Sequence, residues 1–418
     1  MIASHLSARS ENAVLKEKLK TLAQKCHLLT VENAALKAEV EIYRQEGGGP
    51  IVSSSVAQGS SNDAMSKQED ATEDFIKSGN GVYASSCEVN LEKMHEIANL
   101  LSCSLSPDDT VLCTGGADGT MMLCQWGAAL SGQDVVSKAV KITCSAPVIC
   151  NAFAAKPRFP FVVGGCMDGS VHLVKYETPF SGIEAKAIAP CTIKHGKYVK
   201  CVAWSPTENL FASASADGTI QLHKVVWNGY DDNVSIETVQ SLHVAGPVEA
   251  LCFHQHRLCA YARGTPYLSY FDLEQDYLHT KINLNQGPGN GIFSEHVSFC
   301  VMDMVPKNKY LALATDSNRN IVLDFETGKQ VRNLYGHKND GFSNPKLAWS
   351  ASGQYLYGNT QEDSHVCVWD IASSQIVKKL GGHSNPIRAM FSSTVTDTLV
   401  TTSFDKKTKI WLAPVESS

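Results

Sequence analysis

The chain has 418 residues, of which 43% are hydrophobic, a length and composition typical of one large globular domain with an additional segment. Its 36 basic and 42 acidic residues give a net charge of −6, so we expect neither a nucleic-acid-binding surface nor one that binds anionic membranes. The start MIASHLSARSENAV is polar and no run of about 18 apolar residues follows, so we expect neither a signal peptide nor membrane insertion.

Residues 1–46 follow one heptad register that predicts a coiled-coil dimerisation helix. Asn33 at a buried a position and leucine at the d positions favour two strands, and pairs such as Glu32 with Lys37 favour a parallel homodimer. No dense basic run precedes the leucines, which argues against a DNA-binding zipper. A single helix that folds back on the C-terminal domain is the alternative. The predicted dimer seam consists of Leu15, Leu19, Leu22, Leu29, Asn33, Leu36 and Val40.

Residues 47–80 begin with Gly47-Gly48-Gly49-Pro50, which ends the helix, and continue with many serines, glycines and acidic residues. This composition cannot bury a core, so we predict a flexible linker.

Residues 81–418 contain strand-like runs separated by turn residues, and segment 381–411 is the best example. Gly382-His383, Ser403, Asp405 and Trp411 occur there in the order of a buried polar relay. A buried indole N–H needs an acceptor, a hydroxyl both donates and accepts, and histidine can bridge to the aspartate of a tight turn. The segment resembles a repeat of the WD-repeat family, which implies one four-stranded blade of a β-propeller.

Equivalent turn positions recur at intervals of 42 to 51 residues. Because a blade can cover its apolar faces only with neighbouring blades, seven repeats predict an all-β, seven-bladed WD-type propeller over residues 81–418. Only LAPVESS follows Trp411, so we expect the run Gly81 to Val89 to supply the outer strand of the last blade. The turn positions are Asp118, Asp168, Asp217, Thr265, Asp316, Asp363 and Asp405.

Relay residues are predicted in three blades and are degraded in the others. The third blade has His223 where tryptophan is expected, and the sixth has Gln361 at the serine position. The first and second keep an Asp-Gly turn but place Cys124 and Val174 at the tryptophan position, and the fourth has lost its aspartate. The predicted structural relay residues are His383, Ser403, Asp405 and Trp411; His195, Ser215 and Asp217; and His337, Asp363 and Trp369.

Ser403, His383 and Asp405 are also the residue types of a hydrolase triad. The same types recur at His195, Ser215 and Asp217, and repetition in each blade is expected of a structural relay, whereas a catalytic triad is needed once. Neither G-x-S-x-G nor a phosphate-binding G-x-x-x-x-G-K-[ST] motif is present. We therefore predict no catalytic residues and no cofactor.

We also predict no metal site. His254, His256 and Cys259 lie close in sequence but lack a fourth partner, and they follow an apolar run, which favours a turn between two strands. The 14 cysteines form no C-x-x-C pair and most lie in apolar runs, which indicates core positions in a reducing compartment, the cytoplasm or the nucleus.

The resemblance implies that the propeller face carrying the turns surrounds the central channel and binds peptides or partner domains. Phe404 there is either a ligand anchor or a side chain packed against its neighbour, and loop 285–295 is expected to rise on the same face. The partner-binding positions implied by the resemblance are Met167, Arg263, Glu362, Asn385, Arg388, Phe404 and Lys406.

These features predict a non-catalytic scaffold, dimerised by its coiled coil, whose two propellers bind proteins or peptides. A substrate adaptor of a ubiquitin ligase is one alternative, although Trp369-Asp370-Ile371-Ala372 lacks the arginine common at this point in that class. A propeller enzyme is the other alternative, and it would need an asymmetric polar cluster in the channel.

Overall fold

The computed structural model describes residues 79–414 apart from 93, 96–97, 132–134, 157–158, 180–181, 189–192, 230–232, 285–299, 340–343 and 362. The predicted coiled coil, the linker up to residue 78, loop 285–295 and Glu362 lie outside the described residues. Within them, 28 strands form seven four-stranded antiparallel sheets. The all-β, seven-bladed fold predicted from the sequence is confirmed.

The chain enters the propeller through β1 (Ser86–Glu92) and then forms blades 1 to 7 in order, each from its innermost strand outward. Blade 1 contains β2 (Leu100–Leu105), β3 (Val111–Gly116), β4 (Thr120–Gln125) and β5 (Val140–Thr143). Blade 2 contains β6 (Val148–Phe153), β7 (Phe161–Cys166), β8 (Val171–Glu177) and β9 (Glu184–Ala187). Blade 3 contains β10 (Val199–Trp204), β11 (Leu210–Ser215), β12 (Thr219–Trp227) and β13 (Val234–His243).

The remaining blades follow the same order. Blade 4 contains β14 (Val248–His254), β15 (Arg257–Ala262), β16 (Tyr267–Asp272) and β17 (Leu278–Asn283). Blade 5 contains β18 (Val301–Lys307), β19 (Tyr310–Thr315), β20 (Asn320–Asp324) and β21 (Gln330–Leu334). Blade 6 contains β22 (Leu347–Trp349), β23 (Tyr355–Asn359), β24 (Val366–Asp370) and β25 (Gln375–Leu380). Blade 7 contains β26 (Ile387–Ser392), β27 (Leu399–Ser403) and β28 (Lys407–Leu412) together with β1.

Two short helices, α1 (Trp126–Ser131) and α2 (Val135–Lys138), lie between the third and outermost strands of blade 1. Trp126, Ala129 and Val135 are buried and pack into the core between blades 7 and 1. None of the helices in the described part of the chain has the length and apolar character needed to span a lipid bilayer.

The burial of each strand follows its distance from the channel. The second strand of a blade is covered on both faces, so β7 and β11 are buried throughout and consist of apolar and small residues. The outermost strand is exposed on one face, so β13 alternates between partly buried and exposed side chains along most of its length.

The hydrophobic core of the described residues consists of seven clusters, and each lies between two neighbouring blades. Tryptophans at equivalent positions also connect neighbours: the Trp204 indole donates to the Ala152 carbonyl at 3.0 Å, and the Trp349 indole to the Val305 carbonyl at 2.9 Å. Each blade is therefore stabilised mainly by its neighbours, as in other repeat proteins.

The ring is closed by β1, which pairs antiparallel with β28 as the outermost strand of blade 7. The closing strand was predicted in the right segment, although it begins at Ser86 instead of Gly81. The preceding residues also contact blade 6, where the Gly81 and Ala84 N–H groups donate to the hydroxyls of Tyr355 and Tyr357 at 2.8 and 2.9 Å. The edge of β28 is thus paired, and β1 completes blade 7 as a four-stranded sheet like the others.

Two turn positions differ from the prediction by one residue. The Arg263 N–H donates to the Pro247 carbonyl as the Phe404 N–H donates to that of Pro386, so Gly264, not Thr265, matches Asp405. In blade 5 the Asp316 N–H donates in the same way to the Cys300 carbonyl, so Ser317, not Asp316, occupies the turn position. Both blades nevertheless form complete four-stranded sheets, because their hydrophobic runs and turns survive.

Candidate functional site

The innermost strands of the seven blades line a central channel with a volume of about 520 Å³. In six blades the innermost strand carries a β-bulge after its first residue. A bulge leaves one extra residue unpaired and redirects its side chain, and bulges are common beside functional sites. The bulged residues are Leu101, Ile149, Lys200, Glu249, Met302 and Arg388, and all of these except Met302 line the channel.

On one side of the channel the charged side chains are paired. The buried Glu249 carboxylate lies 3.3 Å from the Lys200 ammonium and 2.8 Å from Nε of Arg263. Burial lowers the pKa of Arg263, but the Glu249 charge and hydrogen bond outweigh it, and the net pKa of the guanidinium is raised. Arg263, a predicted partner-binding residue, is thus held by an internal partner, although its side chain remains about half exposed.

On blade 7 the Arg388 guanidinium lies 4.9 Å from the centroid of the Phe404 ring. Its Nε has no hydrogen-bond partner, and no carboxylate of the described residues lies within ion-pair distance. Burial lowers the pKa of Arg388 because the charged form loses solvation. Phe404 therefore packs over Arg388 within its own blade, and the Asn385 amide donates to the Phe404 carbonyl at 3.3 Å.

Apolar side chains lie on the channel wall of the neighbouring blades. Met167 is 56% exposed and Tyr198 is 36% exposed, and both line the channel together with the half-buried Leu101 and Ile149. Exposed side chains of this size are typical of the centre of a protein interface, particularly methionine and tyrosine.

We define the channel-mouth surface as Met167, Tyr198, Arg388 and Phe404. Two further predicted residues, Asn385 and Lys406, lie on blade 7 beside it; both are exposed, and Lys406 occupies a left-handed turn position with φ of 66°. Tyr198 was not predicted. The sequence could have indicated it by position: Tyr198 directly precedes the innermost strand of blade 3, as Pro386 and Pro147 precede those of blades 7 and 2.

The polar relay of blade 7 is complete, but its hydroxyl comes from Thr401 and not from Ser403. The Trp411 indole donates to the Thr401 hydroxyl at 2.9 Å, and that hydroxyl lies 2.8 Å from His383 Nε2. His383 Nδ1 lies 2.8 Å from Asp405 Oδ2. One assignment satisfies all three contacts: Thr401 donates to Nε2, and Nδ1–H donates to the carboxylate.

Ser403 has a local role. Its hydroxyl donates to the Asn385 carbonyl at 2.7 Å and accepts the Asp405 N–H at 3.1 Å, so it shapes the turn and does not bond to His383. The three residue types of the hydrolase triad are therefore not connected as a triad here.

In blade 3, too, the relay hydroxyl lies two residues before the predicted serine. His195 Nε2 lies 2.8 Å from the Ser213 hydroxyl, not that of Ser215, and Ser213 also lies 3.2 Å from Nε2 of His223. His223 does occupy the predicted tryptophan position. Its burial, together with the nearby His195, lowers its pKa to about 3, so the relay contains a neutral imidazole. Asp217 is reached through Thr219, whose hydroxyl lies 2.6 Å from His195 Nδ1.

Blade 1 has a relay that the sequence analysis missed. His95 Nδ1 lies 3.0 Å from Asp118 Oδ1, and its Nε2 lies 2.9 Å from the Thr114 hydroxyl. The 23-residue spacing between His95 and Asp118, close to the 22 residues between His383 and Asp405, was the available signal.

Blade 6 was predicted to have a relay and has none. The hydroxyl position is Gly358, so the Trp369 indole donates to the Tyr335 carbonyl at 2.8 Å. Neither ring nitrogen of His337 has a hydrogen-bond partner among the described residues, and the ring packs edge-on against Trp369 with centroids 5.2 Å apart. Asp363 lies in a turn one residue longer than those of blades 3 and 7, which displaces it from His337.

The residues examined as zinc ligands do not converge. His254 ends β14 and His256 lies in the turn before β15, as predicted, where His256 Nε2 is 3.6 Å from Asp272. Cys259 is buried within β15, with its sulfur 3.9 Å from that of Met304.

Four segments of the chain match the family described as WD domain, G-beta repeat: residues 91–124, 190–224, 328–370 and 374–411. They cover blades 1, 3, 6 and 7 in part, and three of these blades contain the relays described above. The chain thus contains WD repeats and is a seven-bladed WD-type β-propeller, a class that generally serves as a protein-interaction scaffold. No curated protein matches the chain.

Replacing Thr401 with valine should destabilise the propeller by about 2–6 kcal/mol, because the Trp411 N–H and His383 Nε2 would each lose a buried partner. Thr408→Val is the matched control, since Thr408 is buried in the same blade and its hydroxyl has no hydrogen-bond partner among the described residues. Urea unfolding of both variants measures the difference. Equal losses in the two variants would contradict the relay.

His337→Phe should reduce the acid sensitivity of the fold. Burial lowers the pKa of His337 to about 4, so the unfolded state binds a proton more readily, and stability present above about pH 6.5 is lost as the pH falls towards 4. Between pH 7 and pH 4 the wild type should lose about 3 kcal/mol more than the variant. Urea midpoints across this range test the difference, and parallel curves for the two proteins would refute it.

Proposed function

We propose that the protein is a non-catalytic scaffold that binds a partner segment at the channel-mouth surface. The observation that supports this most directly is Arg388, a half-buried guanidinium with no carboxylate partner among the described residues, in a channel whose other charged residues are largely paired. A partner carboxylate would restore the electrostatic energy that burial removes from Arg388.

The surroundings define the rest of the partner. Phe404 covers one face of the guanidinium, and Met167 and Tyr198 provide apolar area on the channel wall. We therefore expect a peptide segment with an acidic side chain or a C-terminal carboxylate next to a bulky apolar residue.

The relays support a structural role and not a catalytic one. Thr401 is fully buried and its hydroxyl is already engaged by Trp411 and His383, so no substrate can reach it. Asp370, part of the Trp-Asp pair considered for a ligase adaptor, accepts hydrogen bonds from the Gly79 N–H and the Ser373 hydroxyl, so it supports the fold.

We further propose that residues 1–46 form a parallel homodimer and that two propellers in one particle bind partners with increased avidity. The heptad register with Asn33 at an a position supports this. The abundance of free cysteines fits a cytoplasmic or nuclear protein.

Arg388→Gln and Phe404→Ala should each weaken partner binding by about 30-fold or more, the effect of losing an interface hot spot. Affinity capture with the full chain identifies the partner, and a binding titration with that partner measures the loss. Arg257→Gln is the control, because Arg257 is the first residue of β15, at the end of the strand opposite the channel-mouth surface. Unchanged affinity in both channel variants would place recognition elsewhere.

Leu22→Pro should convert the full chain from dimer to monomer with an intact propeller, since proline interrupts the helix at a d position. Light scattering gives the mass, and circular dichroism checks the fold. Ser54→Pro in the linker should leave the dimer unchanged. A monomeric wild type would show that the proposed dimer is wrong.

A further inference from the structure

Cys144, Cys166 and His172 form a cluster between blades 1 and 2. One side-chain ligand atom from each lies within 4.8 Å of the other two. Among the cysteine, histidine and carboxylate side chains of the described residues, these three lie close enough together to hold a metal ion.

The cluster occupies the place where other blades have a relay. The Cys144 N–H donates to the Gly119 carbonyl at 2.8 Å, as the His195 N–H donates to that of Gly169 at 2.9 Å, so Cys144 stands at the relay histidine position. Gly164 stands at the relay hydroxyl position, and no His–Asp contact can form in this blade.

Cys166 and His172 complete the cluster from blade 2. Cys166 pairs with Val148 as Ser403 pairs with Ile387, which places its side chain at the turn end of β7. His172 lies in β8 opposite Gly164, and the Met121 side chain fills the space that a side chain at Gly164 would take.

The local hydrogen bonds leave the ligand atoms suited to a cation. Three groups approach His172 Nε2: the Ser145 hydroxyl at 3.2 Å, the Ser170 hydroxyl at 3.3 Å and the Ser145 N–H at 3.4 Å. Ser170 itself donates to Asp168 at 2.6 Å, so it does not donate to Nε2, whereas the Ser145 N–H does and thereby marks Nε2 as the nitrogen with the lone pair that a cation would take. Cys144 and Cys166 each offer a sulfur atom, and a cysteine binds metals as its thiolate.

We propose that Cys144, Cys166 and His172 bind one thiophilic divalent cation of the zinc class. Two thiolates and an imidazole are ligands that select zinc over harder cations. A tetrahedral zinc holds such ligands about 3.5–3.8 Å apart, so the three ligand atoms, which lie within 4.8 Å of one another, would move closer together on binding. Ser145 is exposed beside the cluster, which leaves the fourth position open to water.

The ion would take over the mechanical role of the relay. In blade 7 the His383–Asp405 contact joins the loop before the innermost strand to the turn before the third strand. In blade 2 the metal would join the same two segments through Cys144 and Cys166. Because Met167 follows Cys166 directly, the ion would also hold this part of the channel-mouth surface in place. The proposed metal site departs from the expectation, drawn from the sequence, that the chain has no metal site.

The test uses the reduced full chain, freed of metal by chelation and titrated with Co²⁺ and then Zn²⁺. We expect one Co²⁺ per chain, with the absorption of a tetrahedral thiolate complex that Zn²⁺ abolishes. Zn²⁺ binding should weaken by about 100-fold or more in each of the variants Cys144→Ser, Cys166→Ser and His172→Gln. Loss of an outer-sphere contact already weakens metal binding by up to about 100-fold, and loss of a direct ligand should cost at least as much. Cys166→Ser is expected to fold, because blades 3 and 7 have serine at this position.

Cys87→Ser and Cys26→Ser are the controls, since Cys87 is an exposed cysteine of β1 and Cys26 lies in the predicted coiled coil. Both should bind Zn²⁺ as the wild type does. Thermal melting in chelator checks that every variant is folded. A Co²⁺ complex without thiolate absorption, full binding by the Cys144→Ser/Cys166→Ser double variant, or a Cys144–Cys166 disulfide in place of metal uptake would each overturn the proposal.

Discussion

The apolar faces of each blade can be covered only by its neighbours, and this constraint explains most features of the structure. Every core cluster of the described residues draws on two blades, so a blade missing from the ring would expose two clusters at once. Closure by β1 is therefore part of the core and not an accessory, since Leu91 packs with residues of blades 7 and 1. The same constraint permits blades of weak repeat sequence, because neighbours on both sides hold them in place.

The relays solve a second problem, which is how to bury polar groups inside such a ring. In blade 7 an indole, a hydroxyl, an imidazole and a carboxylate satisfy one another in a chain, and burial keeps the pKa of His383 below its usual value. Blade 3 preserves the chain with His223 in place of tryptophan, whereas blade 6 loses the hydroxyl at Gly358 and turns its indole to a backbone carbonyl. What persists in these three blades is a hydrogen-bond partner for the residue at the tryptophan position and not the identity of the residues.

The sequence was sufficient for the fold and for the blade number, because hydrophobic runs and turn residues recur at near-constant intervals. It was insufficient for the relay hydroxyl: Thr401 and Ser403 are two residues apart in a strand and point to the same face, so spacing alone cannot separate them. The predicted turn positions of blades 4 and 5 were wrong by one residue, because Thr265 and Asp316 are both acceptable turn residues. Contact between Arg388 and Phe404 depends on the register of β26 with β27, which no local pattern contains.

The bulges explain why the channel can differ so much in charge from blade to blade while the fold stays constant. A bulged residue makes no ladder bond, so its side chain is free of the pairing rules that govern the rest of the innermost strand. Lys200 and Glu249 form an ion pair between blades 3 and 4 from this position, whereas Arg388 has no carboxylate within ion-pair distance in the part of the chain that the structure describes. Because a half-buried charge without a carboxylate partner costs free energy, Arg388 carries the proposal that a partner segment binds here. The turn residues Met167 and Phe404 lie at matching positions of their blades, each held by the same backbone bond to a proline carbonyl. The proposed recognition at the channel mouth would therefore depend on the geometry of the turns. These turns are anchored by contacts between the loop before the innermost strand and the turn before the third strand.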